Sequence, residues 1–339
     1  MDSVTQAALG AAVGIAVMGT RLPVWQAALA GAVVGTLPDL DVFIDKGDAV
    51  RDMVLHRAET HALAYQALAT PLIAAVAAAL SRTRGLYLHW CLLVALGLFT
   101  HSLLDAMTVY GTRIGLPFTD QPFAVGSLFI IDPLYTLPLL VGVGAAVFAG
   151  RGRRLRWNTA GLVLSTLYAA WSVIAQVTVT QRVMQTSLAS TLPASQILVT
   201  PAPFNTLLWR IVVVDGDSYY EAFHSLLDPL HEAYDGIHFA RFTRGSELES
   251  KTRDFAAANL IRDFSQGFYA LSDDGHIVRI TDLRFGQAPY YAFAFGFAQH
   301  QSEPLREITP VRFSRRIPID IGLAWLQRRM TGEPLPPPR

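Results

Sequence analysis

The chain has 339 residues, 52% of them hydrophobic and only 16% charged, with mean hydropathy +0.33. Soluble domains carry about 25% charged residues, so this composition excludes an ordinary soluble protein. A net charge of zero offers no basic surface for nucleic acid, and the single Cys91 excludes a disulfide framework or a cysteine-based zinc motif.

The charge deficit is local. Residues 1–181 hold 11 Lys/Arg and 10 Asp/Glu, while residues 182–339 hold 16 and 17. We read a polytopic α-helical membrane domain over 1–181, a soluble α+β domain over 182–331 and a disordered Pro-rich tail over 332–339. The start of the chain lacks the basic region of a signal peptide, and Asp2 is acidic.

A spanning helix needs roughly 20 apolar residues. Six segments qualify or come close: Val4–Met18, Val24–Leu37, His61–Leu80, Leu86–Leu104, Ser127–Ala149 and Trp157–Thr180. The first two are short and rich in Gly and Ala, as suits either close helix packing or a hairpin dipping into the bilayer. The connections 19–23, 81–85 and 150–156 carry seven Arg and no acid. With about six spans these three loops share one side, and the positive-inside rule makes it cytoplasmic. The connections 38–60 and 105–126, and the C-terminal half, then face the periplasm.

In the soluble half, Ile197–Thr200 and Leu207–Asp215 read as strands, with Asp215-Gly216 as a turn. Tyr219–Leu227 and Leu248–Asp263 read as helices. Phe268–Leu271, His276–Arg284 and Tyr290–Phe297 read as antiparallel strands, the first two joined at Asp274-Gly275. Ile319–Met330 reads as a last helix. His224, His231 and His238 are seven apart, but Pro229 and the Asp235-Gly236 turn interrupt the run, so they read as surface histidines.

The chemistry concentrates at the periplasmic ends of the first four spans. Asp2 opens the first, and Asp39 and Asp41 close the second. His56 and His61 precede and enter the third, and His101 and Asp105 close the fourth. Ionisable residues at membrane depth are costly and mark function. His101 and Asp105 are spaced i, i+4 and share one helix face. Imidazoles with carboxylates suit a divalent metal, Zn²⁺ first, with Mn²⁺ or Fe²⁺ also compatible. Asp2 reads as a ligand or as a helix cap. Glu59 reads as a general base or a solvated charge. His89, beside Trp90, reads as an interfacial residue. His56-x-x-Glu59-x-His61 lacks the His-Glu-x-x-His spacing of zincins, and no Ser or Cys sits in a nucleophile motif.

These residues lie in motifs that resemble a known family. The run Met1–Gly10, Gly35-Thr-Leu-Pro-Asp-Leu-Asp41, His56-Arg-x-x-Thr-His61, Thr100-His-Ser-Leu-Leu-Asp105, Tyr110-Gly-Thr112 and Ile131-Asp-Pro-Leu-Tyr135 are similar to the YdjM-like bacterial inner-membrane proteins, the LexA-regulated type described as metal-dependent hydrolases. The resemblance covers about residues 1–145. It implies an inner-membrane location and a metal site built from these residues. More distantly, His101-x-x-x-Asp105 looks like the helical zinc site of phospholipase C-type enzymes. Two positions depart from the pattern: Gln6 stands where many relatives have His, and Ala58-Glu59 where Gly-Pro is common.

The expected function is a metal-dependent hydrolase acting on a lipid or phosphoester substrate through activated water. A metal-ion or proton transporter using the same Asp/His set is the rival, and a non-catalytic scaffold a third reading. A transporter calls for polar residues through the spans, whereas the middles of the third to fifth are almost bare of them.

Overall fold

The computed structural model describes residues 1–150, 152–229, 236–300 and 305–339. The chain divides into two compact units. The first comprises Met1–Phe43, Arg57–Ile174 and Pro203–Asn205; the second comprises Ile44–His56, Ala175–Ala202 and Thr206–Arg339.

The first unit is helical. Its elements are α1 (Ser3–Met18), α2 (Val24–Thr36), α4 (Leu63–Leu80), α5 (Tyr87–Ala106), α6 (Pro133–Phe148) and the membrane part of α7 (Arg154–Met184); α3 (Ala49–Val54) belongs to the second unit. Among the described residues, three helical stretches are long and apolar enough to cross a membrane: Leu63–Leu80, Arg84–Ala106 and Arg154–Met184. The other three are shorter, with α2 only 13 residues. At 1.5 Å per residue α2 covers about 20 Å of a hydrocarbon core about 30 Å thick.

Local chemistry places the helix ends. Asp2 caps α1, its carboxylate accepting from the amides of Val4 and Thr5 at 3.1 Å each. Asp132 caps α6 ahead of Pro133, whose fixed φ suits a first helical position. Pro38 follows α2 and stops it, because it has no amide to continue the ladder.

α1 and α2 approach closely through Gly10, Gly14, Gly31 and Gly35. A Cβ on Gly14 would collide with the Ala27 carbonyl, and one on Gly31 with the Gly10 carbonyl. This is small-residue packing, which lets two helices touch backbone to backbone where lipid supplies no hydrophobic drive between them. The outer faces of the bundle carry exposed Leu, Val, Ile and Trp side chains, such as Leu68 and Leu72 on α4 and Val141 on α6, as a lipid solvent demands.

The second unit contains two four-stranded antiparallel sheets. One has the order β1 (Ile197–Pro201), β2 (Leu208–Asp215), β3 (Ser218–Ser225), β4 (Ala240–Thr243). In the other, β10 (Arg306–Arg312) and β9 (Ala294–Gln299) are followed by β6 (Ile277–Asp282) and β5 (Tyr269–Asp273). The short β7 (Gly286–Gln287) and β8 (Tyr290–Tyr291) pair separately. α8 (Ala256–Phe264) and α9 (Ile319–Met330) complete it, and α3 packs on α8 and β10. Arg210 and Glu221 form a buried bridge at 2.6 Å, and Arg210 also donates to the Leu283 carbonyl at 2.8 Å.

Several expectations need correction here. Tyr219–Leu227 is not a helix. Its first part is β3, paired with β2 across Asp215-Gly216, where Gly216 has φ +52°. The helix expected over Leu248–Asp263 begins only at Ala256. His224 is buried, not a surface residue; it contacts Asp228 at 3.0 Å and Arg182 at 3.0 Å, while His238 is exposed and His231 lies outside the described residues. The tail also has partners: Trp325 donates to the Leu335 carbonyl, and Arg339 lies 4.8 Å over the Phe242 ring.

Two outcomes follow. Gly14→Leu forces α1 from α2 and should cost about 1–3 kcal/mol, the usual range for overpacking; Gly144→Leu, where a Cβ meets nothing within 4 Å, should be neutral. Thermal unfolding of the detergent-solubilised variants reads both. The second concerns Asp228. Burial would raise its carboxyl, but hydrogen bonds from Arg329 and His224 outweigh burial and hold it below the usual carboxylate range. A depressed carboxylate contributes stability that is present at neutral pH and lost as the pH falls through its folded pKa. Asp228→Asn should therefore lower the unfolding midpoint at pH 7, and its deficit against the wild type should shrink as the solution is acidified below about pH 4.

Candidate metal centre

α5 supplies the first two residues. Its i, i+4 spacing aims His101 and Asp105 from one face, and both side chains are fully buried. The short 3₁₀ turn Pro38–Phe43 that follows α2 brings Asp39 opposite them. A second 3₁₀ turn, Glu59–His61, delivers His61. One ligand atom from each of Asp39, His61, His101 and Asp105 lies within 4.8 Å of all the others.

The spacings are those of a coordination shell. His61 Nε2 lies 3.1 Å from His101 Nε2, 3.5 Å from Asp39 Oδ1 and 3.3 Å from Asp105 Oδ2. His101 Nε2 lies 3.5 Å from Asp39 Oδ1 and 3.6 Å from Asp105 Oδ2. Ligands on a tetrahedral zinc, at bond lengths of about 2.0–2.1 Å, stand roughly 3.3 Å apart.

The partners of the two Nδ1 atoms assign the tautomers. His101 Nδ1 is 2.6 Å from the Gly35 carbonyl and must donate to it. That carbonyl is in the last turn of α2, where helical carbonyls lack helical partners. His61 Nδ1 is 2.9 Å from Thr60 Oγ1, which itself donates to Asp41 Oδ2 at 3.1 Å. The Thr60 proton is thus committed to Asp41, and His61 Nδ1 donates to the hydroxyl. Both neutral rings then present lone pairs from Nε2, facing one another at 3.1 Å. Such a pair repels unless a cation, metal or proton, lies between. An Nδ1–H held by a carbonyl or hydroxyl is also how proteins orient metal-binding imidazoles. The donor set therefore fits a divalent cation.

The structure sorts the sequence candidates. Asp39, His61, His101 and Asp105 come together. Asp41 stands one step back: it accepts from the Arg57 amide at 3.0 Å and from Thr60, and is 4.0 Å from His61 Nδ1. Asp2 caps α1. His56, half-buried, and Glu59, exposed, are outside the group of four.

Two contributors were not expected. Arg57, buried with φ +63°, places Nε 3.0 Å from Asp105 Oδ2 and Nη1 3.2 Å from Thr108 Oγ1. Its guanidinium lies 4.9 Å over the Tyr110 ring. The only signal for it in the sequence is its place inside His56-Arg-x-x-Thr-His61. Gln6, noted as a departure from the family pattern, is in the site: its Nε2 donates to Asp105 Oδ1 at 2.9 Å and to the His101 carbonyl at 3.3 Å. The Met1 amino nitrogen also contacts Asp105. Asp105 is thus neutralised on several sides, as a buried carboxylate requires.

Comparison with known proteins covers the same stretch of chain. The model of the family described as YdjM inner membrane protein matches residues 1–179, which include all four clustered residues. Inner membrane protein YbcI of Escherichia coli (strain K12) is 32% identical over 123 residues, 35% of this chain and 69% of that protein. No solved structure matches the chain. A bundle of apolar helices closing on a buried His/Asp cluster, matched in this way over more than half its length, belongs to the YdjM inner membrane protein family.

Proposed function

We propose that this inner membrane protein is a metal-dependent hydrolase acting on a lipid or phosphoester-type substrate, with Asp39, His61, His101 and Asp105 holding a divalent cation. The observation that carries the reading is the approach of the two Nε2 atoms to 3.1 Å, with the Nδ1 partners of both rings assigning lone pairs to them. Two imidazoles and two carboxylates favour Zn²⁺, and Mn²⁺ or Fe²⁺ also suit the set. Such an ion, when bound, supplies Lewis acidity and acidifies water to a pKa of about 7.

The chain's own residues prepare the site. Gly35 and Thr60 fix the two rings, and Asp41 holds Thr60 in its accepting orientation toward His61. Gln6 and Arg57 hold Asp105 from opposite oxygens. Asp39 is the one clustered side chain open to the outside, 20% exposed against 0% for the others, so substrate approaches past it. Glu59, on the turn that ends in His61, is the candidate base for the water's proton.

The transporter reading needs a polar path through the bundle. Within α4 and α6 the only titratable side chains are Tyr65 and Tyr135. The clustered residues instead gather at one end of their helices, which favours a one-sided site. Seven Arg in three connections put that end, and the C-terminal unit, on the periplasmic side in our reading.

Metal analysis of the purified full chain tests the centre. Wild type should carry stoichiometric divalent metal and His101→Ala should lose it; no metal in either would remove the foundation of the reading. Glu59→Gln should keep the metal and lower turnover by about 10²–10⁴-fold, whereas unchanged turnover would return Glu59 to a solvated charge. Orientation is checked by reporters fused after residues 153 and 190, expected to read cytoplasmic and periplasmic respectively; a cytoplasmic signal at 190 would overturn it.

A further inference from the structure

Leu40, Val42 and Phe43, on the 3₁₀ turn that carries Asp39, are apolar and exposed, while Pro38 and Asp41 of the same turn are buried. Val42 is 67% exposed and Phe43 82%. On the connection between α5 and α6, Phe118 is 88% exposed. These two segments are at the same end of the bundle. Asp39 meets His101 near the end of α5. The amides of Val125 and Ser127 bond to the Ala106 and Met107 carbonyls at 2.8 and 2.9 Å. The apolar surface also continues along the chain into the outer faces of the adjoining helices, through exposed Leu29 and Val33 on α2 and Ile131 and Leu134 at the start of α6. In an inner membrane protein lipid covers those helix faces, so the same lipid is the neighbour of the segments that extend them.

How deep the segments lie follows from their backbone. A 3₁₀ turn and an irregular connection carry polar groups that hydrocarbon cannot satisfy, so neither enters the bilayer core exposed to lipid. Large apolar side chains on such segments partition to the headgroup boundary. We propose that Leu40, Val42, Phe43 and Phe118 form an apolar collar seating the Asp39 mouth at headgroup level. The substrate is then a phosphoester of a bilayer lipid, whose head reaches Asp39 sideways from the leaflet. Only the substrate clause rests on the hydrolase reading; the seating of the collar stands on exposure and continuity.

The first experiment reads the seating without activity. In the full chain with Cys91→Ala, Phe43→Cys, Phe118→Cys or, as an exposed control on β5, Ser272→Cys is labelled with an environment-sensitive fluorophore. The protein is reconstituted in phosphatidylethanolamine/phosphatidylglycerol vesicles. Labels at 43 and 118 should be quenched by lipid carrying a spin label near the headgroup and shielded from iodide, with the reverse at 272. Iodide quenching at 43 and 118 equal to that at 272, without lipid quenching, overturns the collar. The second experiment reads the substrate. Val42→Asp/Phe43→Asp should keep its metal and its turnover of a soluble short-chain phosphodiester, yet lose about tenfold or more on a long-chain phospholipid in vesicles. Equal turnover of the vesicle substrate overturns lipid access. No hydrolysis of either substrate by the wild type would remove the hydrolase reading and the substrate clause with it, leaving the quenching result to decide the collar.

Discussion

Two imidazole nitrogens that both offer lone pairs at 3.1 Å are the constraint on which the rest of the membrane unit turns. Two nitrogens that both present lone pairs do not hold that distance without a proton or a metal ion between them, and each ring is kept from turning away by its Nδ1 partner. For His101 the partner is a helix-end carbonyl; for His61 it is a hydroxyl fixed in turn by Asp41. Both rings are thereby fixed with Nε2 toward the cluster, the way orienting hydrogen bonds hold metal-binding imidazoles in other proteins. Removing any one of them frees a ring inside a region where an unsatisfied polar group is expensive.

The shell draws on four separate stretches of chain, so it depends on how closely their helices approach. Glycine-to-glycine packing of α1 on α2 lets Gln6 and the Gly35 carbonyl converge on the same end of α5. Pro38 then ends α2 one residue before Asp39, which turns the carboxylate inward where a continuing helix would carry it past. Arg57 enters from the loop ahead of α4 and balances Asp105. A buried carboxylate and a buried guanidinium are each costly alone and tolerable together, which ties the loop's unusual φ at Arg57 to the charge on α5.

The second unit follows different physics. It is built of hairpins with water-facing turns and a conventional apolar interior, around the hydrogen-bonded Arg210–Glu221 bridge. His224, between Asp228 and Arg182, and Arg329, on Asp228, tie β3 to α7 and α9. Every polar group there that we describe in detail is accounted for by a structural partner, whereas the clustered His and Asp side chains lie in the membrane unit.

Composition and hydropathy by themselves determined that the chain is a membrane protein, where its apolar helices lie and where the polar second half begins, because the bilayer imposes length and apolarity directly on sequence. The pairing of His101 with Asp105 was equally legible, since helix periodicity alone puts i and i+4 on one face. Tertiary structure had to decide the rest. Asp39 and Asp41 are two apart on a 3₁₀ turn, and only the fold shows that one enters the cluster while the other braces it. Only the fold likewise shows that His61 enters the cluster and His56 does not, and that the Asp2 carboxylate is turned to its own helix amides. The role of Arg57 is not legible in the sequence, because a lone Arg in a loop carries no periodic signal. The local pattern of Tyr219–Leu227 suits a helix, whereas its pairing with β2 is a contact that no local window contains. Spacing along one element is written in the chain; which atom of which neighbour faces it is settled only when separate elements pack.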